Sequence, residues 1–466
     1  MLFSSIPFLY YFLPGVLIVY ALSPKILKNP VLLLSSLVFY AWGEPKYVFL
    51  MIATVAVAYV TGILIDKFRG RVLSKVFLWI SVLSSLAALG FFKYADFFVE
   101  NFNRLTGLSV PLLKIALPIG ISFYTFQTLS YTIDVYRGDV KVQKNPVSLA
   151  TYVALFPQLI AGPIVRYSDI EAQLGCRTHS FEKTALGIRR FLIGFGKKIL
   201  FANTLGELCD AFMISQDKSV AFFWLFAVCY MLQIYFDFSG YSDMAIGLGK
   251  ILGFDFLENF NYPFISSSIS EFWRRWHMSL GSWFRDYVYI PLGGNRVKRS
   301  RLLLNIFVVW FLTGFWHGAE WNFIVWGLYF GILLTIEKFF FIDGLKKHKV
   351  IGHIYTLFFV AISFVIFSAD GLGQAISFVG GLFGAGGIPA VSKEFVYYLQ
   401  SYGLTIAVAA VSATPLPKKL YSRLCEKTAF EKVFNVLEIM FLLVLMLVST
   451  AYLADGSFNP FLYFRF

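Results

Sequence analysis

Histidine is the side chain best suited to proton transfer near neutrality, and this chain has five. His317 stands apart from the others because it lies inside NIFVVWFLTGFWHGAEWNFIVWGLYFGILL, an apolar and aromatic run. An ionisable group is costly in such surroundings and is expected to face an interior or a water-filled path. A neutral imidazole there could take the proton of a hydroxyl while that hydroxyl attacks a thioester. The competing reading is a structural histidine hydrogen-bonded between helices. Glu320 would share its face if the helix continues through Gly318.

His277 lies in EFWRRWHMSLGSWF, among three tryptophans and beside Arg274 and Arg275. Helical spacing would carry Trp273 and His277 on one face and the two arginines on another. Those arginines could hold the phosphate of a donor or a lipid headgroup, or simply anchor a cytoplasmic loop. Asp237 and Asp243, in QIYFDFSGYSDMAIG, are carboxylates in an apolar stretch. Protonation, a cation partner or an orienting hydrogen bond must offset their burial, and a structural role is the expectation. His348 and His353 accompany a basic loop, and His179 lies in the polar connection CRTHSFEK, so solvation explains all three. Cys176, Cys209, Cys229 and Cys425 are widely spaced and signal neither zinc nor a disulfide framework. The serine-hydrolase pattern GxSxG is absent, and GAGG at Gly384 to Gly387 reads as a loop rather than a phosphate cradle.

Lipid must surround the elements that position these residues. Hydrophobic residues fill 58% of 466 positions and charged residues 14%, against about 45–50% and about 25% in soluble domains. Apolar stretches near the roughly 20 residues of a spanning helix recur from end to end, which excludes a soluble domain with one anchor. About eleven to thirteen membrane segments are expected, joined by short connections in a single integral domain over 1–466. The opening residues show no cleavage pattern and read as the first span rather than a removable signal. The net charge of +13 comes from basic residues scattered between spans, which marks cytoplasmic loops rather than nucleic-acid binding. Lys25 and Lys28, Lys67 to Lys75, Arg137 to Lys144, Arg296 to Arg301, Lys346 to Lys349 and Pro417 to Arg423 all fall inside by this rule, leaving both termini outside. The central third is interrupted by polar residues and prolines, so its backbone must be shielded by protein or line a wet cavity.

Four segments, PQLIAGPIVRYSDI, YFDFSGYSDMAIGLGKILGF, NFNYPFISSSISEFWRRWHMSLGSWFRDYVYIPLGGN and TGFWHGAEWNFIVWG, closely resemble the bacterial branch of the membrane-bound O-acyltransferase family. The resemblance covers essentially the whole chain, with the core motifs at about 155–335. It implies an all-α polytopic fold, a ring of tilted helices around a thin central chamber with a tunnel from a cytoplasmic donor to an extracellular acceptor. It makes His317 the catalytic residue and His277 a second histidine of the same chamber, with Trp273, Arg274, Arg275, Trp316 and Asn322 as candidate substrate contacts. The donor it implies is a cytoplasmic thioester, acetyl-coenzyme A, used as substrate with no permanently bound cofactor or metal. The acceptor side implies a cell-envelope or extracellular polysaccharide, alginate-like, reached through an extracytoplasmic partner protein, with the enzyme in the bacterial cytoplasmic membrane. The final residues also resemble a Phe-x-Tyr-x-x-Phe relay motif, here Phe461, Tyr463 and Phe466, with Tyr463 the possible acyl carrier. A lipid or protein acyltransferase of the same family and a transporter or export component are the alternatives. The absence of a visible internal repeat weighs against transport.

Overall fold

The computed structural model describes residues 1–160, 162–425 and 431–455, and among them there are helices but no strand. Eight of these helices are long and apolar enough to cross a membrane, and two shorter apolar helices, Pro7–Leu22 and Leu372–Leu382, accompany them. The difference from eleven to thirteen segments has a physical reason. Ile121–Arg137 is rich in Thr, Ser and Tyr and buried along most of its length. The next apolar run breaks between Ala154 and Phe156, just before Pro157, into two short helices. Stretches that look like spans by composition are thus divided, or too polar to face lipid.

Two compact units can be distinguished: Met1–Phe191 with Met244–Leu257, and Leu192–Asp243 with Glu258–Phe466. In the first, Val48–Lys67 and Val72–Thr106 pack against Ile121–Arg137. Tyr131 fits because Gly62 has no side chain: a Cβ there would lie 3.0 Å from the phenol. Its hydroxyl accepts from the Gln143 backbone N–H at 3.0 Å, and Gln143 Nε2 in turn donates to Tyr167 Oη at 3.0 Å. These two buried tyrosine hydroxyls are therefore satisfied within the protein, as burial requires.

The second unit is built on the central helix, Val220–Ile251, which it shares with the first unit through residues 244–251. Aromatic residues dominate its core; Phe212, for example, stacks 4.3 Å from Phe226 with rings 15° apart. The cation partners of the two carboxylates come from Lys197–Asn203, a stretch wound as π-helix. Lys198 Nζ lies 2.5 Å from Asp237 and Lys197 Nζ 2.7 Å from Asp243. The Lys198–Asp237 pair is almost wholly buried, with side-chain exposures of 3% and 4%. Gly240 allows this approach, since a Cβ there would come within 2.7 Å of the Gly194 carbonyl oxygen.

Candidate active site

The Arg299–His317 helix, which carries His317 at its last position, runs against Trp321–Ile336 at very short range. Glycines make this possible: a Cβ on Gly314 would sit 2.3 Å from the Phe323 carbonyl oxygen, and one on Gly327 2.2 Å from that of Trp310. The helix does not continue through Gly318, which is extended at φ −160°. A Cβ there would meet the Phe323 ring at 2.2 Å, so the hairpin turns at once. Glu320 consequently sits at the start of the next helix, not one turn along from His317 as helical continuity would have placed it.

Three rings wall the half-buried His317 imidazole. Trp316 has its centroid at 4.8 Å, Trp326 at 5.1 Å and Phe367 at 5.3 Å, all steeply inclined to it. Phe367 comes from Lys349–Ser368. Asn322 fixes the far end of that helix by donating from Nδ2 to the Ala369 carbonyl at 2.8 Å, leaving its buried Oδ1 without a protein partner. Asn322 therefore braces the wall behind His317.

His277 occupies a different kind of position. It is buried at 1% exposure between two short helices, Ile269–Arg275 and Met278–Phe284. Its backbone is left-handed at φ 45°, ψ 52°, a conformation that costs a non-glycine residue about 1–3 kcal/mol and clusters at functional sites. The chain therefore breaks at Trp276, and the continuous helix expected from Trp273 to His277 does not form. Glu337 holds the first short helix in place. Its buried carboxylate accepts from the backbone N–H groups of Ile269 at 2.5 Å and Ser270 at 2.9 Å, and from Ser270 Oγ at 2.7 Å.

Asn259 fixes the imidazole itself. Its Oδ1 accepts from the backbone N–H of Ser279 at 3.3 Å and from Ser279 Oγ at 2.9 Å, so the amide orientation is set, and it lies 3.1 Å from His277 Nδ1. Facing an acceptor, Nδ1 must carry the proton, which leaves the lone pair on Nε2. That Nε2 is buried and has no protein hydrogen-bond partner. Burial also holds the imidazolium well below the ordinary histidine range, so His277 is a neutral acceptor with its open nitrogen poised for a proton or a hydroxyl. Phe238 of the central helix closes one side, edge-on at 4.6 Å.

Trp316 stands between the two histidines, 6.2 Å from His277 and 4.8 Å from His317. His277 lines a cavity of about 820 Å³ together with Trp273, Arg274, Trp310, Arg285 and Lys338. Trp273 packs 5.7 Å from Trp326, the tryptophan that touches His317. The indole N–H groups of Trp273 and Trp326 are both buried without a protein partner. Arg274 joins this cavity, whereas Arg275 turns to a separate cleft and pairs with Glu271 at 2.9 Å. Asp237 and Asp243, bound to their lysines, belong to the scaffold of the central helix. Tyr463, with Phe461 and Phe466, lies outside the described residues. Sequence reasoning passed over Asn259 and Glu337; a glutamate within the apolar run 321–347 was the available signal for the second.

Eight helices long and apolar enough to cross a membrane, with buried polar groups around two histidines, define a multi-pass membrane protein. A family model described as "MBOAT, membrane-bound O-acyltransferase family" matches residues 142–372. The probable alginate O-acetylase of Azotobacter vinelandii is 39% identical over 499 aligned residues covering 100% of both chains. That of Pseudomonas aeruginosa is 44% identical over 80% of this chain and 73% of its own. A peptidoglycan O-acetyltransferase of Helicobacter pylori is 34% identical over 86% of this chain and 83% of its own. The chain belongs to the membrane-bound O-acyltransferase family and is an O-acyltransferase. That membership sets the transporter reading aside.

Proposed function

We propose that this enzyme takes an acetyl group from a cytoplasmic thioester, acetyl-coenzyme A, and delivers it for O-acetylation of a cell-envelope or extracellular polysaccharide of the alginate kind. The observation that carries the reading is the pair of imidazoles about one tryptophan, His277 with an open Nε2 and His317 in its aromatic box. Relatives named for alginate and peptidoglycan O-acetylation support the acceptor class. His317 takes the acceptor hydroxyl proton as the oxygen attacks the thioester carbonyl. The tetrahedral intermediate collapses, the carbon–sulfur bond breaks, and the departing thiolate receives the proton as the ester forms. The unpartnered indole N–H groups of Trp273 and Trp326 are donors for the developing oxyanion, a role worth about 2.7–4 kcal/mol per donor. Arg274, exposed and outside any ion pair among the described residues, serves the donor's phosphates at the cavity mouth.

In this reading the whole chain acts as one integral domain in the bacterial cytoplasmic membrane, with both termini outside. An extracytoplasmic acetyltransferase protein completes delivery to the sugar, and Tyr463 relays the acyl group to it. Sided proteoliposomes test this. Labelled acetyl-coenzyme A is supplied to one face, and label is sought on polysaccharide and partner protein at the other. Wild type is expected to carry label across and Tyr463→Phe to stop that passage with folding intact. Thioester turnover with label confined to the donor side would overturn the trans-membrane delivery, and full activity of Tyr463→Phe would remove the relay.

A further inference from the structure

The cleft that receives Arg275 is separate from the cavity that His277 lines. It measures about 680 Å³ and is lined by Asn261, Tyr262, Arg275, Lys418, Lys419 and Arg423 among others, with no Asp or Glu in its walls among the described residues. Three of the four cations come from one short helix, Leu416–Cys425. Leu416, Leu420 and Leu424 recur every four residues along it and are exposed by 61%, 61% and 38%. Lys418, Lys419 and Ser422 lie off the leucine row on another arc of the helix, Arg423 borders the row, and all four line the cleft. A helix with leucines bared on one side and cations on the other lies in the plane of a membrane interface. The Tyr421 hydroxyl tethers it by donating to Glu438 of the final helix at 2.5 Å.

We infer that this cleft is a binding site for the phosphate headgroup of an anionic phospholipid of the cytoplasmic leaflet. Lys418, Lys419 and Arg423, in no ion pair among the described residues, call for an anion, and a phosphodiester supplies it. A soluble phosphate would satisfy the same charges, but it would leave the leucine row without a partner. A phospholipid covers both, with its headgroup in the cleft and its acyl chains beside Leu416, Leu420 and Leu424. The charge distribution along the chain puts 417–423 on the cytoplasmic side, where anionic lipids attract juxtamembrane basic segments. Arg275 is bonded at the same time to Glu271 and to the Asn261 carbonyl, at 3.2 Å. Occupancy would therefore steady the end of the short helix that precedes His277.

The test is a lipid titration of the full chain in neutral detergent, following Tm by tryptophan fluorescence. Phosphatidylglycerol is expected to raise Tm saturably, while phosphatidylcholine at the same mole fraction and millimolar inorganic phosphate leave it unchanged. The triple variant Lys418→Gln, Lys419→Gln, Arg423→Gln should need more phosphatidylglycerol for half-saturation, by about fivefold per charge removed. Lys418→Arg with Lys419→Arg keeps the charge and should titrate like wild type, which guards against a variant that is merely less stable. An unchanged half-saturation point in the triple variant would overturn the site. A shift reproduced by inorganic phosphate alone would overturn the lipid assignment in favour of a soluble anion.

Discussion

The central helix and the two outermost spans are inverted relative to a soluble protein. Val220–Ile251 carries Gln233, Asp237, Ser239, Ser242 and Asp243, yet 78% of its apolar window is enclosed by protein. Lys393–Ser412 and Val433–Ala454 are each only 6% buried by the protein, and Leu443, Val444 and Leu447 of the latter are bared by more than half. Lipid accepts apolar side chains, so the hydrophobic effect does not drive them inward. Unsatisfied polar groups cost several kcal/mol in hydrocarbon and are drawn into the protein instead. In such a chain, polarity within a span points to the site, and uninterrupted hydrophobicity points away from it.

Substitutions on the two sides should therefore differ in size. Asp237→Ala strands the Lys198 ammonium in the interior and is expected to cost about 3–5 kcal/mol, read as lost stability in detergent. Replacing both residues by apolar ones should recover much of that, and a mild single variant would break the contrast. Asn259→Ala removes the acceptor that sets the His277 tautomer, a loss of about 1–3 kcal/mol. It should appear as a 5- to 150-fold drop in kcat for acyl transfer with little change in KM, while Asn259→Asp, which keeps an oxygen at the position, retains more activity.

The exposed counterpart to Asp237 is Asp255, which pairs with Lys183 at 2.6 Å and Lys250 at 3.0 Å at a largely solvent-open site. Burial alone would raise its carboxyl pKa, but hydrogen bonds and charge from the two lysines outweigh this and bring it below the ordinary value. A depressed pKa contributes stability above the unfolded value, about 3.9, and that contribution is lost as pH falls through the folded one. Water screens the pair, so Asp255→Asn should cost under about 1 kcal/mol at neutral pH and flatten the acid limb of a stability profile. Leu443→Ala, on the bared face of the final span, should change stability by no more than about 0.5 kcal/mol. A cost of 2 kcal/mol there would show that this face is covered.

Much of the centre was legible because charge inside an apolar run is its own signal. Residue type and surroundings alone single out His317 as a candidate and give Asp237 and Asp243 their need for partners, whereas the placing of His277 beside His317 came from the family resemblance. Partner identities did not follow. Lys197 and Lys198 look in sequence like any short basic stretch, and only the π-helical winding at 197–203 turns them onto the central helix. Asn259 and Glu337 act on segments 18 to 68 residues away in sequence, a relation that no local periodicity encodes. Adjacent Arg274 and Arg275 diverge into two cavities because neighbouring positions on a helix point about 100° apart. The break at Gly318 is decided by the Phe323 ring, five residues later.

The most direct measurement is thioester consumption and labelled acetyl transfer from acetyl-coenzyme A by membranes containing the wild-type enzyme, His317→Ala or His277→Ala. The account predicts a loss of about 10²- to 10⁴-fold on removing the His317 base, with the protein folded and inserted, and a smaller loss for His277. Wild-type rates in His317→Ala would contradict it.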